Sequence, residues 1–150
     1  MGHTFSKVLI HVVFSTKDRV NSLYRNMRGR LLSYLHGIAR KEGVTIIKAN
    51  AVDDHVHMLI EIKPSQSPSE IVRKLKANSS KWIHETYPNL KAFAWQSGYS
   101  VFSVSLSALP SVVKYIENQE EHHQRLPFAE ELKRFFERHQ IRFDPEHYLD

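Results

Sequence analysis

Two histidines separated by a single residue form the first chemically suggestive motif of this chain. They lie in the run Asp54-His55-Val56-His57-Met58-Leu59-Ile60, whose apolar residues predict a β-strand. Alternate side chains of a strand point to the same face, so His55 and His57 project together. Two imidazoles held side by side are half of a divalent-metal site. A pair of histidines on a half-polar sheet face is the alternative, and the motif alone leaves both interpretations open.

A second group of candidate residues lies on a later predicted helix. At about 100° per residue, one polar stripe of that helix contains Tyr115, Asn118, Gln119 and His122, and the adjoining stripe, expected to face the core, contains Leu109, Val112, Val113 and Ile116. Tyr115 and Gln119 are four positions apart, which makes their side chains neighbours. The polar stripe holds neither Lys nor Glu, so we expect it to meet a metal or a phosphate. A solvated helix face is the alternative.

Basic and aromatic side chains indicate a surface for nucleic acid. The candidate residues for contact with nucleic acid are Lys17, Arg19, Arg73, Lys74, Lys76 and Tyr99. Lysine and arginine neutralise phosphates, and an exposed ring stacks on an unpaired base. Trp95 and Phe102 are further candidates for stacking, although core packing is the alternative, which we favour for Phe102. A solvated helix face is the alternative for the cations.

The composition narrows the classes of function. The chain has 150 residues, of which 41% are hydrophobic and 25% charged, as expected for one globular domain. A net charge of +5 favours a polyanionic partner, and 10 histidines are more than usual. The absence of cysteine excludes disulfides and thiolate catalysis. We find no long apolar run, signal peptide or Gly-rich phosphate loop, and therefore expect no membrane and no nucleotide cofactor.

The hydrophobic periodicity predicts an α+β protein. Predicted strands cover residues 6–14, 44–52 and 55–62, with short extended runs at 93–95 and 99–105, and predicted helices cover 24–42, about 67–86, 109–123 and 129–139. This order is typical of the ferredoxin-like split βαβ fold, an antiparallel sheet with helices on one face. The tyrosine-bearing helix follows it towards the C-terminus. We expect the tail, with Ile141, Phe143 and Tyr148, to dock on the same domain.

The ordered set of motifs resembles the HUH single-tyrosine transposases, small prokaryotic insertion-sequence enzymes that act on single-stranded DNA. The matching segments are residues 14–19, 54–59, 67–76, 95–99 and 115–123. By this resemblance, residues 1–125 are the catalytic domain and 126–150 a helical extension. The extension is less diagnostic than the rest of the chain.

The resemblance implies a role for each candidate residue. His55, His57 and Gln119 would bind Mg²⁺ or Mn²⁺, and Tyr115 would attack DNA to form a 5′-phosphotyrosine and a free 3′-OH. The implied partner is single-stranded DNA with a hairpin. The resemblance also implies a homodimer, in which the tyrosine helix of one protomer serves the histidines of the other, and a place in the prokaryotic cytoplasm at the nucleoid.

Two other functions are possible for this sequence, a nucleic-acid-binding module and a phosphoesterase. A domesticated relative would bind hairpin DNA or RNA without cutting, but it would have no need of Tyr115, His55, His57 and Gln119 together. A metal-dependent phosphoesterase for small molecules would have no need of basic helices. A hydrolase would also require a carboxylate-rich metal site, and we expect no such site here.

Overall fold

The computed structural model describes residues 2–150. Its four strands are β1 (Val8–Ser15), β2 (Thr45–Ala51), β3 (His55–Ile62) and β4 (Ser100–Val104). Its α-helices are α1 (Arg25–Lys41), α2 (Pro68–Thr86), α3 (Leu109–Glu117), α4 (Gln119–Arg125) and α5 (Phe128–Arg138). The strands form one antiparallel sheet in the order β2-β3-β1-β4. This topology confirms the predicted ferredoxin-like fold.

The central strand β1 is covered on both faces, since every residue from Leu9 to Ser15 is buried. Ile10, Val12 and Phe14 belong to the larger hydrophobic core together with residues of α1 and α2. The alternate residues His11 and Val13 face the opposite side of the sheet. An almost continuous apolar run is what a strand buried on both faces requires.

The helices α1 and α2 begin and end where local chemistry dictates. Gly43 follows α1 with a φ of 68°, the left-handed conformation in which helices commonly end and which glycine adopts without strain. At the other helix, the Ser67 hydroxyl accepts a hydrogen bond from the Glu70 amide at 3.2 Å, and Pro68 occupies the first turn. Both features satisfy the donors that the start of a helix leaves unpaired.

The C-terminal helices cover the second face of the sheet. Four residues of α5 pack with Val13 and Phe102 in a second buried cluster, namely Phe128, Leu132, Phe135 and Phe136. In the tail, Phe143 and Tyr148 pack against this cluster, whereas Ile141 is exposed. The extension therefore supplies much of the core on this face.

The predicted helix over 109–123 is interrupted at Asn118, which has a φ of −93° and a ψ of 17°. The side-chain amide of Asn50 on β2 donates to the carbonyls of Ile116 and Glu117, at 2.9 and 3.2 Å. These carbonyls belong to the helix end, where they lack helical partners.

Of the predicted apolar stripe only Ile116 is buried, because α3 crosses the sheet at its edge strand β2.

The segment 93–95 also differs from its prediction as a strand. It makes a single isolated bridge, between Trp95 and Thr16. Trp95 packs edge-on against Phe14, and both Trp95 and Phe102 are buried. The core packing favoured for Phe102 is therefore confirmed, and the suggestion that Trp95 stacks on bases is wrong, whereas Tyr99 is 39% exposed. Within residues 2–150, the structure contains no helix that meets the length and hydropathy needed to cross a membrane.

Candidate functional site

His55 and His57 lie on the face of β3 that α3, α4 and α5 cover, and both side chains are fully buried. The Nδ1 atom of His55 lies 2.7 Å from a carboxylate oxygen of Asp54. The Nδ1 atom of His57 lies 2.7 Å from Nε2 of His11, on the neighbouring strand. These contacts leave the Nε2 atom of each ring to face the space beneath the C-terminal helices. Hydrogen bonds at one nitrogen commonly fix which nitrogen of a histidine binds a metal.

The tyrosine and glutamine of the polar stripe reach the same space. The side-chain oxygen of Gln119 lies 3.0 Å from Nε2 of His55, and its amide nitrogen donates to Glu131 Oε2 at 3.1 Å. The hydroxyl of Tyr115 also donates to Glu131 Oε2, and its ring lies 5.9 Å from that of His57. The four predicted residues Tyr115, Gln119, His55 and His57 therefore meet within one chain.

Glu131 at the centre of this cluster was missed by the sequence analysis. Its Oε1 atom lies 3.1 Å from Nε2 of His57 and 3.4 Å from Nε2 of His55, and the residue is 3% exposed. The sequence led us to expect no carboxylate-rich metal site, and the structure places one buried carboxylate among the candidate ligands. The available signal was the position of Glu131 on the apolar face of α5, between Phe128 and Phe135, because charged residues are rarely buried without a partner.

The histidines of the site differ in their affinity for protons. Burial alone would lower the pKa of His55, but the hydrogen bonds and charges of Asp54 and Glu131 raise this pKa to about 9. Burial lowers the pKa of His57 despite its contact with Glu131. Burial and the neighbouring His57 lower the pKa of His11 well below its usual value. These shifts make His55 a cation between two carboxylates and leave His11 and His57 neutral at neutral pH.

The two acidic groups of the site, Glu131 and Tyr115, have pKa values that shift in opposite directions. Burial opposes ionisation of Glu131, but hydrogen bonds from His55 and His57 outweigh it and hold the pKa of Glu131 far below its usual value. Burial and the negative charge of Glu131 raise the pKa of Tyr115. The tyrosine hydroxyl is consequently a protonated hydrogen-bond donor at neutral pH.

The donor atoms of the site fit a small divalent cation. His55 Nε2 lies 3.0 Å from Gln119 Oε1 and 3.4 Å from Glu131 Oε1, and His57 Nε2 lies 3.1 Å from Glu131 Oε1. Two ligands at right angles around an ion at about 2.1 Å are about 3.0 Å apart, which is the geometry of octahedral Mg²⁺. Two imidazoles with amide and carboxylate oxygens also suit Mn²⁺.

The remaining histidines of α4 take other contacts. His122 stacks on Tyr115 with ring centroids 4.5 Å apart. The Nε2 atom of His123 lies 2.7 Å from a carboxylate oxygen of Asp53, and Asp54, His55 and His123 together form a second group of possible metal ligands. His123 is therefore a possible metal ligand in a group that shares only His55 with the group around Glu131.

The predicted DNA-binding residues are spread over the surface rather than gathered beside Tyr115. Arg73 pairs with Glu70, and Lys74 pairs with Glu42 at 2.7 Å. The ammonium group of Lys76 donates to the carbonyls of Ser97 and Gly98, at 3.2 and 2.9 Å, and also to that of Gln96. Within residues 2–150, Lys17 and Arg19 form no ion pair, and they lie in the short 3-10 turn Lys17–Arg19 after β1.

A cavity of about 320 Å³ opens directly beside the tyrosine. Tyr115, His122 and Glu131 line one part of it, and three arginines that the sequence analysis did not single out line another part, namely Arg125, Arg134 and Arg138. Guanidinium groups bind phosphate oxygens with a matching planar geometry. The cavity therefore places phosphate-binding side chains next to a tyrosine hydroxyl.

Known proteins share sequence similarity with this chain. Residues 4–119 match the family model described as transposase IS200 like. The chain is 30% identical to the ISDra2 transposase TnpA of Deinococcus radiodurans, over 73% of this chain and 81% of that protein. It is 32% identical to the transposase for insertion sequence element IS200 of Salmonella typhimurium, over 79% of this chain and 81% of that protein.

Solved structures show the same fold. A crystal structure described as that of a transposase from Deinococcus radiodurans R1 superposes with a TM-score of 0.66 at 27% identity, over 79% of this chain and 96% of that one. The REP-associated tyrosine transposase bound to a REP hairpin superposes with a TM-score of 0.62 at 16% identity, over 82% of this chain and 73% of that one. The matched family model covers most of the chain, from β1 through Tyr115 to Gln119, and on this basis the chain belongs to the IS200-like transposase family.

Proposed function

We propose that this transposase cleaves and rejoins single-stranded DNA beside a hairpin, through a covalent 5′-phosphotyrosine at Tyr115. His55, His57 and Gln119 would hold the Mg²⁺ or Mn²⁺ that the reaction requires. The observation that carries the proposal is the meeting of Tyr115, His57 and Gln119 at one buried carboxylate. A nucleophile beside a set of metal ligands is what transfer of a phosphodiester requires.

Each residue has a defined part in this reaction. Tyr115 Oη would attack the phosphorus atom, the bond to the 3′-oxygen would break, and water would protonate that oxygen to give a free 3′-OH. Glu131 Oε2, the present acceptor of the Tyr115 hydroxyl, would orient this hydroxyl for attack, and the tyrosine proton would pass to water. When bound, the divalent ion would neutralise charge on the scissile phosphate. Attack by a 3′-OH on the phosphotyrosine reverses these steps, so the strand is rejoined without ATP.

The substrate is proposed from the charge around Tyr115. The three arginines of the adjacent cavity would bind backbone phosphates on either side of the scissile one. Lys17, Arg19 and Tyr99 are exposed or half-exposed and would contact the strand further away. Arg73, Lys74 and Lys76 would first have to exchange their present partners for phosphates. The hairpin is proposed by analogy with the structural neighbour that is described as bound to one.

A denaturing gel tests this function. The protein would be mixed with Mg²⁺ and single-stranded DNA that is labelled at its 3′ end and carries the flanking sequence of its own gene. We expect label that migrates with the protein, and we expect EDTA and Tyr115→Phe to abolish it, whereas the exposed Tyr24→Phe leaves it unchanged. An adduct formed by Tyr115→Phe would overturn the assignment of the nucleophile. Hairpin binding by the wild-type protein without any adduct would favour the domesticated binder.

The resemblance predicts a homodimer with shared sites, but the contacts of Tyr115 and Gln119 with Glu131 and His55 form within one chain. We propose that one protomer can assemble the whole site in this way. A mixture of the Tyr115→Phe and His55→Ala variants distinguishes a site formed within one protomer from a site shared between two protomers. Adduct in the mixture, where each variant alone gives none, would show that the tyrosine of one protomer serves the histidines of the other. Sedimentation analysis would report the oligomeric state directly.

A further inference from the structure

We propose that Glu131, carried by the C-terminal extension, is a fourth protein ligand of the divalent ion, beside His55, His57 and Gln119. This inference rests on the proposed function, since it concerns the same metal site. The segment that matches the family model ends at Gln119, so Glu131 lies outside the matched residues.

The position of the Glu131 carboxylate is the first argument. Its Oε1 atom lies 3.1 and 3.4 Å from the Nε2 atoms of His57 and His55, close to the spacing of neighbouring ligands around one Mg²⁺ ion. His55, His57 and Glu131 together form a group of potential ligand atoms that all lie within 4.8 Å of one another. An ion bound by the two imidazoles would therefore lie next to Glu131 Oε1 without movement of α5.

The charge of the site is the second argument. Two imidazoles and an amide supply no negative charge, whereas Mg²⁺ and Mn²⁺ prefer carboxylate oxygens. A carboxylate that is 3% exposed needs partners that compensate for its lost hydration. The Nε2 atoms of His55 and His57 lie 3.4 and 3.1 Å from Glu131 Oε1. A divalent cation bound by these two imidazoles would compensate for the charge of the carboxylate.

The packing of α5 is the third argument. Phe128, Leu132 and Phe135 anchor this helix on the sheet, so the backbone of Glu131 is fixed between buried contacts. The second carboxylate oxygen, Oε2, accepts hydrogen bonds from Tyr115 and Gln119. The Glu131 carboxylate would therefore bind the ion through Oε1 while Oε2 accepts the hydrogen bond of the Tyr115 nucleophile. The extension would be part of the metal centre rather than an accessory to it.

Direct measurement of metal binding tests the inference without reference to DNA cleavage. Titration calorimetry with Mn²⁺ would compare the wild-type protein with Glu131→Gln, which retains the shape of the side chain but loses its charge. Glu130→Gln is the matched control, because Glu130 is the preceding residue of α5 and its side chain is 55% exposed. We expect Glu131→Gln to weaken binding by about tenfold or more, a loss reported even for residues that merely support metal ligands, and Glu130→Gln to have no effect.

The electronic absorption of bound Co²⁺ provides a second readout, because it depends on the number and type of ligands. We expect the spectrum to change in Glu131→Gln and in Glu131→Asp, which keeps the charge but shortens the side chain, and not in Glu130→Gln. If Glu131→Gln does not fold, as judged by circular dichroism in EDTA, the spectrum of Glu131→Asp decides. A spectrum of Glu131→Asp identical to that of the wild type would overturn the inference.

The outcomes separate this inference from the proposed function. Wild-type affinity and spectrum in Glu131→Gln would show that the carboxylate is not a ligand, while the site of His55, His57 and Gln119 would stand. Tighter binding by Glu131→Gln would show that the carboxylate blocks the site, which also overturns the inference. Absence of Mn²⁺ and Co²⁺ binding by the wild-type protein would instead reject the proposed metal centre itself.

Discussion

The Nε2 atom of His11 lies 2.7 Å from the Nδ1 atom of His57, and both rings are buried beneath the C-terminal helices. The two residues lie on the adjacent strands β1 and β3, where His57 pairs with Val13. Because burial keeps both rings neutral, one nitrogen of the pair donates and the other accepts. A donor at His57 Nδ1 would leave Nε2 as the atom that binds a metal.

The first prediction concerns His11 as a positioning residue. His11→Ala removes the partner of His57 Nδ1, and we expect the Mn²⁺ affinity to fall by about 10- to 100-fold. His11→Gln, which retains hydrogen-bonding atoms, is expected to recover part of this loss. Titration calorimetry measures the effect, with the exposed His147→Ala as control. Equal affinities of His11→Ala and the wild type would show that His57 needs no orienting partner.

The second prediction concerns the pH dependence of metal binding. The folded-state pKa of His55 is about 9, above its ordinary value of 6.5, so the ring carries a proton at neutral pH that a metal must displace. We expect release of about one proton per ion from His55, and an apparent affinity that rises by about tenfold per pH unit from pH 7 to about pH 9. Calorimetry in buffers of different ionisation enthalpy counts the protons. An affinity independent of pH over this interval would contradict the prediction.

The same shift affects the stability of the metal-free protein. A pKa raised on folding stabilises the protein fully below the unfolded value of 6.5, and this contribution is lost as the pH rises through about 9. We expect the unfolding temperature in EDTA to fall on the alkaline side, and to fall less in His55→Gln. Calorimetric melts at pH 7 and pH 10 check this. If the unfolding temperatures of His55→Gln and the wild type fall equally between pH 7 and pH 10, His55 is not the source of the alkaline destabilisation.

The fourth prediction concerns Asn50, which pairs with His57 in the sheet and donates to the carbonyls at the end of α3. Asn50→Ala is expected to lower the free energy of unfolding by about 0.5–1.5 kcal/mol, the usual value of such a hydrogen bond. Asn50→Asp should cost more, because it replaces the donor by a charged acceptor. Denaturant melts measure both effects, with the exposed Asn26→Ala as control. A smaller loss in Asn50→Asp than in Asn50→Ala would contradict this role.

The fifth prediction concerns the arginines of the cavity beside Tyr115. Neutralising Arg134 and Arg138 to glutamine is expected to weaken binding of single-stranded DNA and to lower the slope of log affinity against log salt by about 1 for each lost phosphate contact. Fluorescence anisotropy over a series of salt concentrations measures this slope. The control is Arg40→Gln with Lys41→Gln, at the exposed end of α1. An unchanged slope in the arginine variant would place the DNA elsewhere.

The sequence alone predicted the order of the strands and helices. It also predicted which candidate residues lie on the same side of one strand or one helix. A period of two placed His55 and His57 on one side of β3, and a spacing of four placed Tyr115 beside Gln119. The resemblance of the motifs to a transposase family is supported by the family match. The roles of these residues are still to be tested by the experiments above.

The tertiary structure alone decided which distant faces meet. His11 lies 46 residues from His57, Asn50 lies 66 from Ile116, and Glu131 lies 74 from His57. Periodicity describes the surface of one element, and nothing within a helix determines which strand that surface will cover. The break at Asn118 likewise accompanies a contact with Asn50 from another strand. The sequence therefore determined the pair His55 and His57 on one strand and the pair Tyr115 and Gln119 on one helical stripe. Packing across the sheet brought these pairs together and placed Glu131 of the extension between them.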